Sequence, residues 1–276
     1  MTSPPQLNVL LVTKGHPFRK EPFFSVFDRN PEIVYTHVEQ PAAQALFNPQ
    51  AAEPYDAIVL YDMPGIRFGG EGGGMAYDDP PDWYRAGLLE LLEQGKGMFF
   101  LHHAMCGWPR WDEYAEIVGG RFLFEPGPTR GEPVASSGYR LNVKHRIDVV
   151  DPDHPLAQGV EPFEILDEVY LAEIFEDDIH PVLRSDYPAS QEHFYDPAQA
   201  IRGEMDQREG WSHPTGSGLM AWVKSYANSP IAYFAAGDCP SAYKNAGFQR
   251  VVANGIRWVA SAEAHAWARA GGVKAS

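Results

Sequence analysis

Apolar residues fall in short unbroken runs separated by polar, proline- and glycine-rich stretches. Leu7 to Thr13 (LNVLLVT), Ile33 to His37 and Ala57 to Tyr61 (AIVLY) lack a clean apolar–polar alternation, which predicts strands buried on both faces of a parallel sheet. Glu21 to Asn30 can form a short helix between the first two. Asp82 to Gln94 places Trp83, Leu88, Leu91 and Leu92 at helical spacing, and Gly95-Lys96-Gly97 then leads into a fourth strand, Met98 to His102 (MFFLH). From Arg140 to Val150 the pattern alternates loosely until the turn Asp151-Pro152-Asp153-His154-Pro155, so an antiparallel excursion is expected there. Phe163 to Ala172, Pro181 to Arg184, Gly218 to Val223 and Ile231 to Ala235 read as further strands. Ala246 to Trp267 reads as one closing helix with Val251, Val252, Ile256, Trp258 and Val259 turned inward. The expectation is an α/β fold, a mostly parallel central sheet with helices on both faces, in one domain over 1–276 with its core at about 7–260.

A hydrophobic fraction of 44% supplies one large core and excludes a disordered tail. The formal charge of −15, with no local basic patch, argues against nucleic acid or an anionic membrane and leaves small neutral or cationic partners. Cys106 and Cys239 follow no metal-ribbon or CxxC spacing. Met1 to Pro5 lacks a secretory pattern and runs such as Met98 to Leu101 fall far short of a membrane span, so a cytoplasmic location is expected. The 13% aromatic content fits either a loop-rich core or a cleft for a carbohydrate or aromatic ligand, and exposed aromatics would favour a homo-oligomer. The glycine cluster Gly69-Gly70-Glu71-Gly72-Gly73-Gly74 lacks the strand before and the helix after that a phosphate-binding loop requires. It reads as an active-site flap or a plain exposed loop, and no nucleotide cofactor is expected.

Ligands of open parallel sheets sit beyond the carboxyl ends of the strands. There the chain offers Thr13, Lys14 and His16, then Asp62, then His102 and His103, then Gly237-Asp238. A lone histidine at such a place is more often structural. Three histidines and two aspartates at one rim can instead hold a divalent metal or move protons near neutral pH. If the fourth strand stays extended, His102 and His103 point to opposite sides and only one faces the cleft, with His102 the one favoured. Asp167 and Glu168 adjoin on a strand, so only one of them can face it. Cys106 lies past the point where a strand-to-helix elbow would aim a nucleophile and reads as a packing cysteine. Asp153-His154-Pro155 reads as a capped turn. Trp108, Trp111, Tyr114 and Tyr170 are candidates for a stacking wall or for the core.

The order of these motifs resembles the ThuA-like (trehalose utilisation) family within the class I glutamine amidotransferase-like superfamily. The carriers are Gly15-His16, Gly97 to Ala104 (GMFFLHHA), Trp111 to Phe122 (WDEYAEIVGGRF), Asp153-His154-Pro155 with Gly159, Asp167-Glu168-Val169-Tyr170, Ile231 to Gly237, and Asn254-Gly255-Ile256-Arg257-Trp258. The resemblance implies a flavodoxin-like sheet, a histidine near the place of a missing cysteine nucleophile, and a role in sugar metabolism. Carried over by position, the family's cleft residues fall on His16, on His102 or His103, and on Glu168. Two departures are Asp238 and Glu125, which stand where the family often has histidine. The resulting expectation is an enzyme of isomerase, lyase or hydrolase type acting on a sugar or keto-sugar by acid–base chemistry. His16, His102, His103, Glu168 and Asp238 form the catalytic set, while Trp108, Tyr170 and Asp62 contact the ligand. A divalent cation, zinc or manganese, would take His16, His102, Glu168 and Asp238 as ligands. Replacing His102 is expected to abolish turnover with little loss of stability. The rival readings are a non-catalytic sugar or small-molecule binding protein on an amidotransferase-like scaffold and an amidase or hydrolase using Cys106.

Overall fold

The structure, a computed structural model, describes residues 6–69 and 74–273. Nine strands build the main sheet: β1 (Leu7–Lys14), β2 (Ile33–Glu39), β3 (Ala57–Asp62), β4 (Gly97–Leu101), β5 (Gly138–Val149), β6 (Phe163–Leu171), β7 (His180–Ser185), β8 (Leu219–Tyr226) and β9 (Ser229–Phe234). They lie in the order β6-β5-β7-β8-β9-β4-β3-β1-β2. The five strands from β2 to β9 are parallel, with the strand order of a flavodoxin-like sheet in which β9 takes the fifth place. From β9 outward through β8, β7, β5 and β6 every pairing is antiparallel.

The unalternating runs of β1, β3 and β4 follow from burial on both faces. Val9, Leu11, Val59, Tyr61, Phe99 and Leu101 pack to one side, against α1 (Lys20–Asp28) and α4 (Ala246–Val259). Leu10, Val12, Ile58, Leu60, Met98 and Phe100 pack to the other, against α2 (Asp82–Gln94) and α3 (Asp112–Val118). Successive side chains alternate between two apolar layers, so the sequence shows a run rather than a period of two.

The closing helix differs from the sequence expectation. It is broken into α4 and α5 (Ala262–Arg269), with Ser261 accepting the Ala264 N–H at 3.0 Å as the cap of the second. Both helices bury their apolar faces on one layer, where the Trp258 and Trp267 rings meet edge to face at 5.4 Å, so the hydrophobic period runs on across the break. The residues flanking the glycine cluster, Ile66–Phe68 and Met75–Tyr77, pair as antiparallel strands, whereas a phosphate loop would open a helix. Gly70 to Gly73 of the expected flap lie outside the described residues. Among the described residues no helix is long and apolar enough to cross a membrane.

The antiparallel half of the sheet is strongly curled. In a flat sheet β6 would stand about 19 Å from β9. Yet the Asp167 carboxylate on β6 accepts the N–H groups of Gly237 and Asp238, immediately after β9, at 2.6 and 3.0 Å. The edge strand therefore lies back over the rim where the parallel strands end.

Candidate active site

Each element delivers its side chain to this rim for a local reason. After β1 the chain turns through Lys14 and Gly15, at φ of 102° and 106°. A Cβ on Gly15 would sit 2.3 Å from the Met63 carbonyl oxygen, so only glycine lets the turn tuck His16 beside the end of β3. After β4 the strand stops one residue earlier than expected. His102 takes φ 47° and opens a 3₁₀ turn, His102–Cys106. This departure from extended geometry cancels the opposite-sides argument: both imidazoles are buried, with rings 5.5 Å apart and nearly perpendicular. Period two on β6 holds, by contrast. Glu168 faces the site while Asp167 turns away to hold the Gly237 and Asp238 amides.

His16, His103, Cys106, Glu168 and Tyr170 line one cavity of about 250 Å³. His102 stands behind it. Its Nδ1–H donates to the Ala235 carbonyl at 2.7 Å, which leaves Nε2 facing Glu168 Oε2 at 3.1 Å, the Tyr170 hydroxyl at 2.9 Å and Asp238 Oδ1 at 3.8 Å. A nitrogen lone pair facing a carboxylate oxygen is repulsive, so the second proton of an imidazolium or a metal ion would favour this arrangement, and the Tyr170 hydroxyl can also donate to Nε2. Burial opposes charging His102, but the hydrogen bond and charge of Glu168, helped by Asp238 and Asp167, prevail and lift its pKa to about 9. Burial also raises Asp167, to about 6, although the His102 charge and the two amides pull the other way. The Tyr170 ring stacks on His102 at 4.7 Å, and burial followed by the Glu168 charge holds its hydroxyl protonated.

His103 is the opposite case. Its Nε2–H donates to the Tyr61 carbonyl at 3.3 Å, so the lone pair resides on Nδ1, which has no partner among the described residues. Burial, reinforced by His16 and His102, pushes its pKa well below the ordinary imidazole value and keeps it neutral. The His16 ring lies 4.8 Å away and is also shifted down, by burial and then by His102, against the pull of Asp238 and Glu168. Burial pushes the Cys106 thiol up and Glu168 adds to it, so the group stays a thiol and makes a poor nucleophile.

Several expected site residues belong elsewhere. Asp62 is wholly buried in the core, accepting the Gln40 amide at 2.7 Å, and does not reach the cavity. Trp108 is also a core residue, with its Nε1–H donating to the Tyr84 hydroxyl at 3.4 Å, so it forms no wall for a ligand. The expected metal set is reduced: donor atoms of His102, Glu168 and Asp238 lie within 4.8 Å of one another, and His16 is not among them. His154 accepts the Leu156 N–H at 3.1 Å, as a capped turn requires. The sequence reading missed the cavity's apolar wall, which includes Phe122 and Phe124. Their spacing of two was the available signal, since it places both rings on one side of an extended segment.

Comparison with known proteins bears on this geometry. The family model described as ThuA, trehalose utilisation, matches residues 8–259. No curated protein matches the chain. Among solved structures, a ThuA-like protein from Parabacteroides merdae is similar with a TM-score of 0.63 and 16% identity, over 93% of this chain and 90% of that one. A cytoplasmic protein from Salmonella typhimurium gives 0.58 and 11%, over 92% and 99%. Agd3, a carbohydrate deacetylase, gives 0.51 and 14%, over 91% of this chain but 32% of its own. At these identities the likeness is one of fold.

Proposed function

Because the chain belongs to the ThuA (trehalose utilisation) family, we propose that it is an enzyme acting on a sugar or keto-sugar by proton transfer in the cavity shared by His16, His103, Glu168 and Tyr170. The observation that carries this reading is the fixed tautomer of His103. Its donated bond to the Tyr61 carbonyl leaves an unpartnered Nδ1 lone pair on an imidazole that lines the cavity, where a substrate hydroxyl would be its partner. Glu168 lines the same cavity and is the second proton-transfer group. His102 does not itself line the cavity but contacts Glu168 and Tyr170, which do. It acts as a positioning residue, holding the Glu168 carboxylate from behind, while Asp167 secures the turn that carries Asp238. The Agd3 likeness adds that this scaffold also occurs in a protein described as acting on carbohydrate.

The test is proton NMR of a panel of glycosides and their keto derivatives in D2O, which reads bond cleavage and solvent exchange of ring protons together. Wild type should do one or the other with at least one member, and His103→Gln or Glu168→Gln should slow it by about 10²-fold or more. Turnover unchanged in both variants would sink the proposal.

A second reading is favoured by a specific observation. The bond from Nδ1–H to the Ala235 carbonyl is the outer-shell arrangement that leaves Nε2 free to ligate a metal. Its separations of 3.1 and 3.8 Å from the two carboxylates bracket the roughly 3.4 Å expected between donors around a tetrahedral ion. We propose that a divalent cation such as zinc or manganese can take the place of the Nε2 proton there, where it would supply a Lewis acid behind the Glu168 carboxylate that lines the cavity. Protein purified without chelator should then carry one equivalent, lost in Asp238→Ala. Metal-free protein that resists reconstitution would leave the imidazolium form alone.

A further inference from the structure

The cavity has two chemically distinct ends. Its spare polar capacity is concentrated in His16, His103 and Glu168, because the Tyr170 hydroxyl is engaged with His102 and the Tyr139 hydroxyl accepts the Asp206 N–H at 3.0 Å and donates to Met205 Sδ at 4.0 Å. The remaining wall is apolar, formed chiefly by Phe68, Phe122, Phe124, Leu141, Ile201 and Met205. A free disaccharide carries hydroxyls all around its surface. Against this wall most would lose water without gaining a partner, at about 1–3 kcal/mol each.

A second observation concerns the mouth. Phe68 and Met205, which line the cavity, are also 45% and 47% exposed, so the apolar surface continues outward to solvent. Scattered exposed apolar residues need no explanation, but two on the rim of one apolar cavity extend its surface. The charge of −15, together with the Glu168 carboxylate at the polar end, disfavours an anionic head group.

We propose that the ligand is an uncharged glycoside with an apolar aglycone, alkyl or aryl, rather than a free sugar. The sugar ring meets His16, His103 and Glu168, and the aglycone lies along Phe122 and Phe124 toward Phe68 and Met205. This rests on the sugar reading above and narrows it to a substrate class.

The experiment is titration calorimetry with six probes: methyl glucoside and phenyl glucoside, each as both anomers, free trehalose, and phenol. Phenyl glucoside is expected to bind at least tenfold more tightly than methyl glucoside or trehalose. That gain should be lost in Phe124→Ser and reduced in Met205→Gln, an exposed change that leaves the core untouched. Equal affinity for the methyl and phenyl glucosides, or tighter binding of trehalose, overturns the aglycone assignment while leaving the sugar reading standing. Phenol binding as tightly as phenyl glucoside overturns the sugar half and with it the proposed function. Failure of every probe to bind overturns the proposal outright.

Discussion

Asp62 permits a quantitative test of its removal from the ligand site to the core. Its Oδ2 accepts the Gln40 amide and its Oδ1 has no partner among the described residues, so the ionised form is poorly compensated. Burial raises its pKa to about 7, against the hydrogen bond from Gln40. An unfolded chain releases this proton near pH 4. Between these values the folded state binds more protons than the unfolded one. The stabilisation is fully present below pH 4 and is lost as the pH rises through 7. Over pH 4.5 to 8 the loss attributable to this carboxyl is about 3 kcal/mol, at 1.36 kcal/mol per pKa unit. Asp62→Asn keeps the Gln40 bond and removes the titration. Its stability relative to wild type should therefore improve by about 3 kcal/mol between pH 4.5 and pH 8, less whatever part of the cost the fold relaxes away. Urea denaturation at several pH values reads this directly, as a relative midpoint shift of roughly 1 M at an m-value near 3 kcal/mol/M. Every other titrating group is common to both proteins and cancels in the difference. Parallel pH curves would refute the reasoning, since they would show that Asp62 is charged and satisfied in the folded state.

His102→Gln breaks a buried pair and should cost about 3–5 kcal/mol, lowering the thermal midpoint by on the order of 10 °C. This reverses the expectation that His102 can be replaced with little structural loss, and an unchanged midpoint would restore it. Iodoacetamide at neutral pH should label Cys239, which is partly exposed, and spare Cys106, which is buried with a raised thiol pKa. Peptide mass spectrometry showing alkylated Cys106 in native protein would revive the nucleophile.

The parts of this molecule that were legible in its sequence are those governed by neighbours along the chain. Strands buried on both faces write themselves as apolar runs, and the period of two on β6 separates Glu168 from Asp167 without further information. Strand ends were also located closely enough to nominate five residues, of which His16, His103 and Glu168 line the cavity while His102 and Asp238 do not. What failed depended on one dihedral or on distant contacts. The left-handed conformation of His102 ends its strand early and redirects two imidazoles, and a pattern of residue types does not specify it. Asp62 and Trp108 occupy plausible positions after their elements, yet the packing of Gln40 and Tyr84 around them puts them in the core. The curl that brings β6 back to the rim joins Asp167 to residues about 70 positions away. Nothing local to either segment announces that meeting.

That curl has a consequence for how such a protein can change over evolutionary time. The imidazoles belong to the parallel half of the sheet, whereas Glu168 and Tyr170 come from the returning edge strand of the antiparallel half. An edge strand is hydrogen-bonded to one neighbour only, here β5, although most of β6 is buried against the rest of the fold. A substitution at Glu168 or Tyr170 must still give the buried His102 a partner, so the two halves of the sheet are tied at that contact. The site is thus assembled from two halves of the sheet that meet at its rim, and relatives with the same strand order need not share a reaction.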